Sequence, residues 1–402
     1  LTTICNKKTT NFTKNLLGFW HFWGFYCLIL NNCYNHGNYI TLLTTMLKKF
    51  PLPIWSLALP IIAWLLYFIG IEGSVLLTAL GGVFLIGSVL SAVHHAEVVA
   101  HKVGEPFGTI ILALAITIIE VALIISLMVA GGENAAYLAR DTVFAAIMLI
   151  LNGILGISLM IGGLKHHEQF FGKKSASTAL ITLVAILVLT LVLPNFTTSS
   201  VQGTYSAAQM IFVAFASLML YGSFIMVQTV RHRDYFLADD GDLDHHAEPP
   251  SGAIAGVSLG FLVVCLGIVV LLAKALSPAI ELGVAKVGAP QTLVGVIIAA
   301  VVLLPEGLAA LNAANKNRFQ TSLNLALGSA LASIGLTIPA VVLVCLLYDI
   351  PLMLGLDAKS MVLLGLSTFT VMLSLQQGRT NILYGIVLLV CLAAYIFMVI
   401  IP

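Results

Sequence analysis

The chain has 402 residues, of which 60% are hydrophobic and only 9% charged, with a formal net charge of +1. Soluble proteins carry about 25% charged residues, so a water-soluble globular fold is excluded. There is no alternating ten-residue barrel pattern and no basic stripe for nucleic acid, which leaves an all-α polytopic membrane protein.

Residues 1–45 do not match the rest. They hold three of the six cysteines and a short aromatic run from Phe19 to Tyr26. Met46-Leu-Lys-Lys-Phe-Pro51 reads as an ordinary bacterial membrane-protein start, so 1–45 is expected to be a non-structural extension. No small-residue cleavage site follows the apolar part, which argues against a signal peptide. The other cysteines, Cys265, Cys345 and Cys391, lie in apolar spans without metal spacing and read as buried thiols.

A membrane-spanning helix needs about 20 predominantly apolar residues. Eleven such stretches follow, near 53–70, 74–93, 108–131, 142–164, 176–195, 207–229, 252–273, 291–313, 322–347, 360–376 and 382–401. With the amino end inside, eleven basic residues fall on the cytoplasmic side: Lys48, Lys49, Lys102, Lys165, Lys173, Lys174, Arg231, Arg233, Lys316, Arg318 and Arg379. Four fall outside: Arg140, Lys274, Lys286 and Lys359. The positive-inside rule therefore predicts a cytoplasmic amino end and an external carboxyl end.

One sizeable polar connection, 231–250, divides the chain, with five acidic residues between Asp239 and Glu248. It reads either as a solvated linker or as a weak cytosolic surface that collects cations or protons. The expected organisation is a leading helix in 46–72, a five-helix unit in 73–230, the linker, and a second five-helix unit in 251–402. The units share features: Val103-Gly-Glu-Pro106 and Val287-Gly-Ala-Pro290 each precede a span with a lone glutamate. An odd number of spans per unit inverts the second relative to the first, the arrangement of many secondary transporters.

The two lone glutamates, Glu120 and Glu306, sit in the middle of long apolar runs. A carboxylate at bilayer depth costs at least ~2.5–3.5 kcal/mol on insertion scales, so each is a candidate functional residue. An unpaired carboxylate in a low-dielectric medium keeps its proton, whereas a nearby cation favours ionisation. Metal and protons then compete for the same oxygens, which is the physical basis of exchange. Calcium accepts such a site, taking 6–8 oxygens in flexible geometry. Asn152, Ser329 and Ser333 are candidate auxiliary ligands, together with backbone carbonyls near Gly307 and Gly328; hydroxyls and small residues also serve merely to pack helices. Pro305 removes a helix hydrogen bond beside Glu306, and a break there would bring the two acids level. In His94-His-Ala-Glu97-Val-Val-Ala-His101, Glu97 and His101 share a helix face, as do His94 and Glu97. They are a candidate proton relay from the cytosol, or simply the polar end of the span. The motif is not H-E-x-x-H, and no other enzyme constellation is present.

Gly104-Glu-Pro-Phe-Gly108 with Glu120, Leu304-Pro-Glu-Gly-Leu308, Asn324-Leu-Ala-Leu-Gly-Ser329 with Pro339, and Gly378-Arg-Thr-Asn381 resemble the bacterial calcium/proton antiporters of the calcium/cation antiporter superfamily. The resemblance runs from about Met46 to the carboxyl end. It implies one leading helix plus two inverted five-helix repeats, an inner-membrane location, and Glu120 and Glu306 as shared ligands for Ca²⁺ and H⁺. It implies no cofactor besides the transported ions and leaves the oligomeric state open. Many superfamily members have Gly-Asn before each glutamate, where this chain has Ile118-Ile119 and Leu304-Pro305. The usual amide ligands are therefore missing, so exchange of Na⁺ or K⁺ for protons stands beside calcium. An uncoupled cation channel is the remaining alternative.

Overall fold

The computed structural model describes residues 52–71, 74–104, 107–130, 136–237, 250–286, 288, 290 and 292–401. The extension 1–45, Met46 and the acidic residues Asp239 to Glu248 lie outside the described residues. Twelve helices account for the apolar stretches. They are α1 (Ile54–Ile69), α2 (Val75–Val103), α3 (Phe107–Ala130), α4 (Leu138–His166), α5 (Lys173–Phe196) and α6 (Ala207–Arg231), then α7 (Gly252–Lys286), α8 (Thr292–Val302), α9 (Leu304–Asn315), α10 (Phe319–Tyr348), α11 (Ala358–Leu375) and α12 (Ile382–Ile400). Eight are long and apolar enough to cross a membrane alone, and the bent pair α8–α9 makes a ninth. The shorter α1 and the apolar stretch Leu114–Ser126 within α3 complete the set.

Local chemistry sets many of the ends. Ser74 caps α2 by accepting from the Leu77 amide, and Ser206 with Gln209 forms a capping box at the start of α6. Gly70 and Gly104, both at positive φ, stop α1 and α2. The stop at Gly104 corrects the expected end of the second span at residue 93. Hydropathy falls at His94, but the helix continues ten residues further to its glycine cap. Likewise α7 runs to Lys286, past the expected limit at residue 273. The three cysteines in the spans are buried and free.

Two apolar cores organise the packing. One is built around α4 and α10 and recruits α5, α6, α11 and α12; the other joins α1, α2 and α7. They meet along α3 and the α8–α9 pair. On α3, Ala115, Ile119 and Leu123 belong to the second core, whereas Ile124 and Met128 belong to the first. Near the α8–α9 break, Val302 lies in one core and its neighbour Leu303 in the other. The packing is also reciprocal: α3 and α6 lie on α10, while α8, α9 and α12 lie on α4, and α2 pairs with α7. Outward faces of α6, α11 and α12 expose Phe212, Phe215, Phe369 and Val390, as lipid contact requires.

Glycine permits the closest of these contacts. A Cβ on Gly385 of α12 would lie 2.6 Å from the Met160 amide nitrogen and 2.7 Å from the Gly156 carbonyl of α4. Gly385→Val should therefore push α12 off α4. Overpacking of this kind costs about 1–3 kcal/mol, to be read as a lower unfolding temperature of the purified protein in detergent, with Gly222→Val, where there is open space, as the control.

Candidate cation site

The α8–α9 pair bends by 56° at Leu303, two residues before Pro305. Pro305 has no amide to offer the Val301 carbonyl, so the helical ladder lapses and restarts with Glu306 in the first turn of α9. The break expected at this proline is present. It also moves Glu306 off the axis of α8 and onto α4, where a Cβ on Gly307 would sit 3.4 Å from Ile154 Cδ1.

Glu120 projects from α3 and is 3% exposed. Its Oε2 accepts from Thr337 Oγ1 of α10 at 3.1 Å, and the Ser333 hydroxyl one turn earlier on α10 also donates to it. Both oxygens of Glu306 are buried, and among the described residues no side chain donates to either. Glu120 and Glu97 lie close enough to Glu306 for their charges to act on it. A buried carboxylate without donors is costly unless it is protonated or meets a cation. The site therefore contains one acid held by hydroxyls and one left free.

Asn152 lies in a π-helical turn, Leu149–Ile154, inside α4. Such turns often mark functional sites, and this one packs on the first turn of α9. Asn152 Nδ2 donates to Ser367 Oγ of α11 at 2.8 Å, while its Oδ1 is buried without a partner among the described residues. Ser329 is half-buried, one turn before Ser333 on the same face of α10. Thus the structure joins Ser333 to Glu120, leaves an acceptor of Asn152 open, and gives Ser329 a place in line. Sequence reasoning missed Thr337, although its spacing of four from Ser333 and eight from Ser329 was available. It also missed Ser367, which only the tertiary fold brings to Asn152.

The histidine cluster divides. His95 Nε2 lies 3.1 Å from the Ser56 carbonyl of α1, and its ring stacks on Phe261 of α7 at 5.4 Å. His94 faces Trp55 at 5.4 Å. Glu97, by contrast, is exposed and near Glu306; His101 is exposed, and among the described residues no hydrogen bond joins it to Glu97.

The model of the sodium/calcium exchanger protein family matches this chain twice, over residues 73–230 and 257–401. The chain belongs to the sodium/calcium exchanger family. It is 44% identical over 357 residues to y4hA of Sinorhizobium fredii, a protein assigned no more finely than ionic transport, covering 87% of this chain and 97% of that one. It is 34% identical over 351 residues to the sodium-potassium/proton antiporter ChaA of Escherichia coli, covering 85% and 94%. Its fold is similar to that of native YfkE, with a TM-score of 0.67, 17% identity, and coverage of 87% and 99%. As a member of the sodium/calcium exchanger family it is a multi-pass membrane ion exchanger rather than an enzyme.

The Thr337 bond generates a test. A hydrogen bond to a charged group contributes about 1.5–3 kcal/mol, so Thr337→Val should favour protons over cations at Glu120. Apparent cation affinity should fall about tenfold or more, and Thr337→Ser should restore it, as measured by isotope or calorimetric cation titration.

Proposed function

We propose that this exchanger moves a cytosolic cation outward in return for entering protons, by alternating access at a site shared by Glu120 and Glu306. The observation that carries the reading is a buried Glu306 carboxylate, without a side-chain donor among the described residues, within electrostatic reach of a second buried acid. Two adjacent charges of one sign in a medium of low dielectric cannot both stay ionised alone. Either protons or a cation must neutralise them, and the uncompensated pair is too costly to carry across. Coupling follows from that exclusion.

Calcium is the leading cargo. Two carboxylates match a divalent charge, and the hydroxyls of Ser329 and Ser333, the amide oxygen of Asn152 and carbonyls beside the helix break supply hard oxygen ligands. A relative among the solved structures with the same fold is an H⁺/Ca²⁺ exchanger, CAX. The second reading is Na⁺ or K⁺ exchange for protons. It is favoured by the sodium-potassium/proton antiporter at 34% identity and by the apolar residues before each glutamate.

The chain is read as two five-helix repeats of opposite orientation behind the leading helix α1, in a bacterial inner membrane with the amino end cytoplasmic. The double family match and the reciprocal packing support this reading. Glu97, exposed on α2 yet near Glu306, is the proton entry; His101 lies further out on the same helix.

Glu120→Gln and Glu306→Gln should each abolish ΔpH-driven cation uptake into everted vesicles at normal expression. Uptake by either variant would sink the shared-site reading. Scanning Ca²⁺, Na⁺ and K⁺ in the same assay decides the cargo: proton release with Ca²⁺ alone supports the first reading, and release with Na⁺ or K⁺ alone replaces it with the second. Glu97→Gln should slow turnover severalfold while leaving the half-saturating cation concentration unchanged.

A further inference from the structure

The last turn of α9 is held by side chains from elsewhere in the chain. Lys165 Nζ, at the end of α4, donates to the Asn315 carbonyl at 3.1 Å and to Asn315 Oδ1 at 2.9 Å. His166 Nε2 lies 3.0 Å from the same carbonyl. Gln169 Nε2 donates to the Ala314 carbonyl and to Asn317 Oδ1, both at 3.0 Å. Carbonyls at a helix end lack the usual intrahelical donor; amides of the next turn reach Asn312, Ala313 and Ala314, and α4 and the turn after it supply the donors to Asn315 and a second donor to Ala314.

Gln169 is itself fixed with unusual care for a residue between helices. It is 2% exposed, and its backbone exchanges two hydrogen bonds with Thr380: its amide donates to Thr380 Oγ1 at 2.7 Å and its carbonyl accepts from the Thr380 amide at 2.9 Å. Its side chain lies over Gly162, where a Cβ would collide with Gln169 Oε1. Three segments converge on it: the end of α4, the end of α9, and the connection between α11 and α12.

These contacts sit at the opposite end of α9 from Glu306. The separation is nine residues, about 13 Å along a helix. At the Glu306 end, the lapse in the ladder before Pro305 leaves α9 without rigid continuity to α8. The height and direction of α9, and with them the position of the Glu306 carboxylate, are therefore set by its far end and by its flanks on α4 and α10. We infer that Lys165, His166 and Gln169 form a clamp that makes α9 one unit with α4 and so positions Glu306 in the cation site. The three are positioning residues that never touch the ion. The inference rests on the proposed role of Glu306.

The test uses the full-length protein in everted vesicles. Lys165→Met and Gln169→Met should each raise the half-saturating cation concentration, and the pair should raise it about tenfold, with maximal rate per molecule within about twofold. Lys165→Arg, which keeps a donor, should behave as the parent. In a Lys165→Cys/Asn315→Cys variant affinity should fall, and a short bis-thiol cross-linker between the two positions should restore it. A helix cap needed only for folding would alter the amount of protein and not this affinity, and a tether could not rescue it. The clamp is overturned if half-saturation is unchanged in Lys165→Met and the cysteine pair, or if tethering blocks exchange. Should Gln169→Met fail to accumulate, the surface variants at Lys165 decide alone. Glu306→Gln is assayed in parallel: if it still exchanges, the site reading fails, whereas a dead Glu306→Gln beside normal clamp variants removes the clamp only.

Discussion

A carboxylate that has lost water needs a replacement for it, and the fold is arranged around two acids whose replacements differ. Glu120 has hydroxyls from α10; Glu306 has none. Supplying Glu306 with fixed donors would satisfy the charge permanently and remove the need for an ion. Under the proposed function, leaving it without them makes the bound proton or cation part of the structure. On that proposal stability and transport draw on the same missing interactions, and Asn152 beside α9 likewise has an acceptor without a partner among the described residues.

The acids also sit where the two apolar cores of this one compact unit meet. α3 contributes residues to both cores, and the α8–α9 break falls where one core gives way to the other. A dense interior resists continuous deformation, so relative movement is easiest along a boundary between bodies. Ligands placed on that boundary can be rearranged without repacking either interior. The tether between α9 and α4 proposed above assigns Glu306 to the body built around α4, leaving α2, with Glu97, on the other side.

Much of this was legible in the sequence because bilayers impose coarse rules. Apolar length located the helices, with α8 and α9 read as one stretch, and isolation within apolar runs singled out Glu120 and Glu306. Pro305 announced the break. The rules failed where tertiary contacts overrode hydropathy. The second span was expected to stop at His94 because polarity rises there, yet helix α2 goes on to Gly104, whose positive φ provides the stop. The π-turn around Asn152 has no marker in the local residues, since one extra residue per turn is decided by what the helix packs against. The ring contact of His94 likewise depends on Trp55, a residue of another helix. Thr337 was overlooked for a different reason: a threonine in an apolar helix commonly bonds its own backbone, and only its spacing from Ser333 hinted otherwise.

The use of hydroxyls from α10 to hold Glu120 has a consequence for speed. An amide has its donor and acceptor ends fixed by covalent structure. A serine or threonine hydroxyl gives its hydrogen to an anion in one rotamer of the O–H bond and turns a lone pair toward a metal in another. Ser333 and Thr337 can therefore greet either visitor by spinning a single hydrogen, with no backbone shift and no exchange of side chains.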